Sequence, residues 1–243
     1  MMRLRVQTRE IGAVNVFDLE GMPTDETLDE VVAKIQKKIR RHRMQRIILN
    51  LKSVGTLEPI AMRKLLAACL RPKRSIIYGA SPETLELIGQ AYLPSNVIVV
   101  NTEAGVAEDL GPFLLEKERD KQIARDEIVD TERESIGHQV ERRRSKRMHV
   151  AMPATLKLQS RQGVTIETRA IITNISEGGM FCEYLDLDQA GKIEDLEAVS
   201  GLKVQISIPP CANFPEEYQV EGLITRKELR KKQLGLAIKF VES

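Results

Sequence analysis

The chain has 243 residues, 42% hydrophobic and 30% charged, a balance that builds at least one sizeable core and excludes global disorder. Its formal charge of +2 excludes a polyanion binder charged over its whole surface and confines electrostatic recognition to a local patch. No apolar run reaches the roughly 20 residues of a membrane-spanning helix, and Met1-Met2-Arg3-Leu4-Arg5-Val6 lacks the apolar stretch of a signal peptide. Cys69, Cys182 and Cys211 are odd in number and show no C-x-x-C spacing. They read as small hydrophobes in a reducing, cytoplasmic setting.

In chain order, Leu4 to Thr8 and Ala13 to Phe17 read as two strands joined around Gly12. Thr24, Asp25 and Glu26 supply a cap and an acidic first turn. Leu28, Val31, Val32, Ile35 and Ile39 follow at helical spacing. The basic run Lys37 to Arg43 suits the negative end of that helix's dipole. Arg46 to Leu51 is an apolar run of the kind a buried strand makes. A helix is expected from about 58 to 70, a strand over Ser75–Gly79, and a helix opening at Ser81-Pro82 with proline in its first turn. A strand over Asn96–Val100 and a helix over Thr102–Leu115 follow. The alternation predicts an α/β layer fold for residues 1–115.

Residues 116–134 carry eight acids and five bases, the pattern of a solvated helix or linker; residues 116–141 are expected to form a charged helical connector. Beyond it the texture turns to β: Val150–Leu158, Thr165–Asn174, Gly179–Glu183, Lys203–Ile208, Tyr218–Arg226 and Leu234–Phe240 are six short strands separated by turn residues. They predict a small closed, all-β barrel over residues 142–243. No internal repeat or low-complexity tract is visible.

Two motifs flank the first two barrel strands. The first is Arg142, Arg143, Arg144, Lys146 and Arg147. Guanidinium groups fork onto phosphate oxygens, stack on purines and bond guanine O6 and N7. The second is Asn174-Ile175-Ser176-Glu177-Gly178-Gly179. Asn174 and Ser176, two residues apart, share one side and offer an amide and a hydroxyl. Gly178 and Gly179 permit positive φ and let the backbone approach a ligand closely. Each motif alone is also what a basic linker or an ordinary Asn/Ser/Gly turn looks like. No Ser/His/Asp order, H-E-x-x-H, P-loop or G-x-G-x-x-G in strand–helix context is present, so nothing supports an enzyme, a cofactor or a metal site. Nucleic-acid binding is disfavoured because no aromatics interleave with the arginines.

The conjunction of basic loop, strand hairpin, N-x-S-x-x-G and the closing Gly235-Leu236-Ala237-Ile238-Lys239-Phe240 resembles the PilZ domain, a bacterial receptor for the second messenger cyclic di-GMP, over residues 141–243. The resemblance carries the family's R-R-x-x-x-R onto Arg142, Arg143 and Arg147, and its (D/N)-x-S-x-x-G onto Asn174, Ser176 and Gly179. It implies that Arg143 and Arg147 hold the phosphates and guanines, and that Asn174, Ser176 and Gly179 meet one guanine. Arg142 would permit an intercalated dimer of the nucleotide. The order of residues 3–115 is similar to the STAS domain of sulfate transporters and anti-sigma-factor antagonists, which implies a protein partner. Where regulated STAS members carry a phosphorylated serine at a helix N-terminus, this chain reads Glu58-Pro59-Ile60-Ala61, and Thr56 reads as a turn threonine. Two functions therefore stand side by side. One is a cyclic di-GMP-binding adaptor; the other is a nucleotide-independent interaction module with a degenerate barrel.

Overall fold

A computed structural model of the chain describes residues 3–111 and 147–241, apart from 13, 92, 160–162, 164, 195–198, 212–213 and 229–233. The charged connector lies outside the described residues. The chain divides into two compact units.

In the first unit, strands β1 (Arg5–Ile11) and β2 (Val14–Gly21) form an antiparallel hairpin that turns through Gly12 at φ +49°, a value glycine reaches without strain. Thr24 then caps α1 (Asp25–His42). Its hydroxyl accepts from the Thr27 N–H at 3.4 Å, while the Thr27 hydroxyl accepts from the Thr24 N–H at 3.0 Å. The expected helical spacing holds, and Leu28, Val31, Ile35 and Ile39 are buried. Strand β3 (Arg46–Val54), helix α2 (Pro59–Ala68), strand β4 (Arg74–Tyr78), helix α3 (Pro82–Gln90) and strand β5 (Val97–Val100) follow; α4 covers residues 103–111, and the division between the two units falls within it, after Val106. The sheet order is β1-β2-β3-β4-β5, with β2 to β5 parallel. The predicted α/β layer fold is the one observed.

The run Ile47 to Leu51 is buried without interruption, as a parallel strand covered on both faces must be. Ile47, Leu49 and Leu51 enter one core with Leu28, Ile35, Leu65 and Ile77, whereas Ile48 and Asn50 alternate to the opposite face. On that opposite face the Asp18 carboxylate accepts from Arg9 Nε at 2.7 Å, Arg9 Nη2 at 3.1 Å and Asn50 Nδ2 at 2.8 Å. Both charged side chains are only 4% exposed. The network ties three neighbouring strands through one carboxylate. Cys69, at the end of α2, is buried, and burial pushes its thiol up to about 12.

The second unit is the expected barrel. Strands β6 (Met148–Gln159), β7 (Thr165–Ser176), β8 (Gly179–Glu183), β9 (Lys203–Ile208), β10 (Tyr218–Glu228) and β11 (Gly235–Phe240) close in the order β10-β11-β8-β7-β6-β9. Alternate residues fill the interior, among them Leu156, Ile172, Met180, Cys182, Ile206 and Leu236, so the barrel holds a packed core rather than a cavity for ligand. One helix was not expected from the sequence: α5 (Leu187–Glu194). Among its described residues it buries Gln189, Ala190 and Ile193 and has Gly191 in its middle, so two buried apolar positions are too few to define a helical period. Asp186 starts it by accepting from the Asp188 N–H at 2.9 Å.

Replacing Asp18 by Ala would break a buried ion pair and its bond to Asn50, a loss of roughly 3–5 kcal/mol. A loss of that size is expected in urea unfolding followed at 222 nm, where helices α1 to α3 of the same unit dominate the signal. In a thiol titration of the native protein at mildly alkaline pH, half-buried Cys211 should react, while buried Cys69 and Cys182 react only after denaturant is added.

Candidate functional site on the barrel surface

The register of the barrel decides which of the motif residues meet. Met148 opposes Ile175 and His149 opposes Asn174 across β6 and β7, so Arg147, the residue before β6, stands at the end of the ladder beyond which Ser176 follows Ile175. Across β7 and β8, Asn174 opposes Phe181 and Ser176 opposes Gly179. Across β8 and β11, Phe181 opposes Ala237 and Gly179 opposes Lys239, and Ala237 in turn opposes Arg226 of β10. Directly opposed residues share a face of the sheet. Met180, Cys182 and Ile238 belong to the interior, so the residues alternating with them lie on the outer face.

Two parallel rows result. One runs Arg147, Ser176, Gly179, Lys239; the other runs His149, Asn174, Phe181, Ala237, Arg226. With strands about 4.8 Å apart, Arg147 and Lys239 stand about 15 Å apart at Cα on either side of a floor made of Ser176 and Gly179. Arg147, Lys239 and Arg226 are exposed; His149, Asn174, Ser176 and Phe181 are half-buried. The platform thus combines fixed positive charge at its margins, an amide and a hydroxyl in its middle, and an aromatic ring beside them. Such a surface suits a planar, anionic ligand laid flat on it.

Of the sequence-derived set, Arg147, Asn174, Ser176 and Gly179 are brought together. Arg142 and Arg143 lie outside the described residues. Lys239, Arg226, Phe181 and His149 were not singled out by sequence as site residues. Only strand register brings them alongside, and no local motif announces it.

The turn linking β7 to β8 has just two residues, Glu177 and Gly178, and is held in three ways. The Ser176 hydroxyl donates to the Gly179 carbonyl at 3.2 Å. The Gly178 carbonyl accepts from the Phe240 N–H at 3.1 Å. Strand pairing closes the ends. The positive φ that glycine permits is used by neither Gly178 nor Gly179. Gly179 is required for space instead. A Cβ there would lie 2.2 Å from the Ile238 carbonyl oxygen, whereas at Gly178 nothing lies within 4 Å. The strand also runs on through Ser176, so Asn174 and Ser176 share a face by the two-residue period of a strand.

The family model described as the PilZ domain matches residues 141–243. Among solved structures the chain is similar to the inhibitor of motility MotI/DgrA of Bacillus subtilis, at 18% identity and a TM-score of 0.30, over 45% of this chain and 49% of that one. The match therefore spans about half of MotI/DgrA. It is similar to the PilZ domain with c-di-GMP of YcgR from Escherichia coli, at 18% identity and a TM-score of 0.30, over 42% of this chain and 79% of that one. It is also similar to the anti-sigma factor antagonist SpoIIAA in its unphosphorylated form, at 18% identity and a TM-score of 0.30, over 40% of this chain and 89% of that one. No curated protein matches the sequence.

The two turn glycines separate fold from surface. Gly179→Ala should lower stability by roughly 1–3 kcal/mol, because a backbone oxygen has to move, while Gly178→Ala should change it by about 0.5 kcal/mol or less. Scanning calorimetry of the two variants measures the difference.

Proposed function

We propose that the protein, whose residues 141–243 match the PilZ family model, is a cyclic di-GMP receptor that acts as an adaptor, and that its STAS-like unit engages a protein partner. The observation that carries this reading is the outer platform of β6, β7, β8 and β11, where Arg147, Asn174, Ser176 and Gly179 meet. Cyclic di-GMP has two phosphates and two guanines. Arg143 and Arg147 hold phosphate and stack on guanine, Arg142 admits a second nucleotide, and Asn174 and Ser176 bond a guanine edge above Gly179. Lys239 adds positive potential on the far margin.

The proposed division is an α/β unit over residues 1–115, a connector over 116–141 and a barrel over 142–243. Ligand ordering of the arginine segment, which joins connector to barrel, then biases how the two units are arranged. The ligand shifts that balance only as far as its affinities for the two arrangements differ.

The first unit supports ligand rather than phosphorylation as the input. Glu58 sits at the N-cap of α2 with no side-chain capping bond, and Pro59 follows it, so no hydroxyl stands at the helix N-terminus where STAS regulation would place one. Thr56 is exposed two residues earlier.

Calorimetric titration with cyclic di-GMP tests the assignment. Arg143→Ala and Arg147→Ala should each weaken binding roughly 10- to 100-fold, the worth of a charge-assisted contact, with circular dichroism unchanged. Asn174→Ala and Ser176→Ala should cost less. Wild-type protein that takes up no nucleotide, or arginine variants that bind as well as wild type, would sink the receptor reading.

A further inference from the structure

Charge in this chain is unevenly distributed. Residues 31–82 hold thirteen Lys and Arg against a single acid, Glu58, although the whole chain carries only +2. Part of this cluster gathers at one end of the α/β unit. Helix α1 leaves through Arg43 into β3, and α2 leaves through Cys69 into β4. The Gln45 carbonyl accepts from the Arg74 N–H at 3.1 Å, and Arg46 opposes Arg74 in the sheet, so the two connections run side by side. Arg40, Arg41, Arg43, Arg71 and Lys73 are all exposed, and none has a carboxylate partner among the described residues. In their midst Leu70 is 56% exposed.

The α2–β4 connection is held rigidly. Asn96 Nδ2 donates to the carbonyls of Cys69 at 2.9 Å and Pro72 at 2.8 Å, and the Ser75 hydroxyl donates to Cys69 O at 2.8 Å. Leu70 is thus presented by a fixed loop rather than left over in a loose one. Helix dipoles account for cations in the last turn of α1. They do not account for Arg71 and Lys73, which lie beyond the end of α2. At Arg43 the dipole favours the charge but not the backbone: it is the one non-glycine residue with positive φ among those described, at φ 48° and ψ 42°. Glycine or asparagine closes a helix there without strain, so an arginine at this position trades stability for an exposed cation.

We propose that this end of the α/β unit is a peripheral binding surface for anionic phospholipid, with the cations on the headgroup phosphates and Leu70 entering the interface between them. Clusters of this size are what bind an anionic leaflet, and an apolar side chain set among them adds partitioning that charge alone lacks. Nucleic acid fits less well. No Phe, Tyr or Trp occurs between Phe17 and Tyr78 to stack on bases, and Leu70 gains nothing against a phosphate backbone.

The test is co-sedimentation of the full chain, without nucleotide, with vesicles of phosphatidylcholine alone or of equimolar phosphatidylcholine and phosphatidylglycerol at about 0.1 M salt. Binding to the mixed vesicles only is expected. Arg71→Glu combined with Lys73→Glu should lower the partition coefficient by roughly tenfold or more. Leu70→Ser should remove the fraction that resists added salt. Arg43→Gly should weaken binding while leaving the unfolding midpoint equal or higher, which separates lost charge from lost fold. Equal binding to both vesicle types, no binding to either, charge-reversed protein that binds like wild type, or tighter capture by duplex or single-stranded DNA at matched phosphate concentration would each overturn the proposal.

Discussion

Three glycines let the last strand of the barrel lie flat against its neighbours, and both closure and surface depend on that close approach. A Cβ at Gly179 would meet the Ile238 carbonyl oxygen at 2.2 Å, one at Gly235 would meet the Cys182 carbonyl oxygen at 2.3 Å, and one at Gly222 would meet Ile238 Cγ2 at 2.5 Å. Strand β11 joins β10 to β8 and so completes the ring. Pushing it away by the width of a methyl group would open an edge, with unpaired N–H and C=O groups on both sides. It would also move Lys239 away from the Ser176–Gly179 floor. Gly179 therefore belongs to the fold and to the platform at once, and its lack of a side chain serves both.

The first unit depends on a different economy of space. Its parallel strands are covered on both faces, so a polar side chain anywhere in the middle of the sheet needs partners. Asp18, Arg9 and Asn50 supply one another's. A carboxylate with a forked guanidinium and an amide on it is directional, and a one-residue slip of β1, β2 or β3 would break at least one of these bonds. The network thus discriminates against wrong registers, whatever its net contribution to stability.

Electrostatics divide the chain by region rather than by total. The barrel platform is flanked by Arg147, Lys239 and Arg226, each exposed. The acidic residues that bring the total charge near neutrality are concentrated elsewhere, eight of them in residues 116–134. A near-zero net charge is therefore compatible with two separate basic surfaces. Each works over about the 10 Å that screening allows at moderate salt.

Period and punctuation in the sequence determined most of the architecture. Alternation in Lys203–Ile208, helical spacing from Leu28 to Ile39 and proline after Ser81 each place an element to within a few residues, because burial on one face is a local property of the pattern. Helix α5 escaped because three apolar residues in a run of eight, with a glycine among them, are too short a pattern to set a period. The motif Asn174-x-Ser176-x-x-Gly179 was legible as a pair of polar side chains on one face of a turn. The reason for its glycine was not, since φ is local but the Ile238 carbonyl comes from sixty residues away. The same holds for Phe181 and Lys239 beside the platform, for the Arg9–Asp18–Asn50 network, and for Arg43 and Arg71 at one end of a sheet. Each is a meeting of residues distant in the chain, set by strand register and closure, and register is a property of the assembled sheet that no single segment contains.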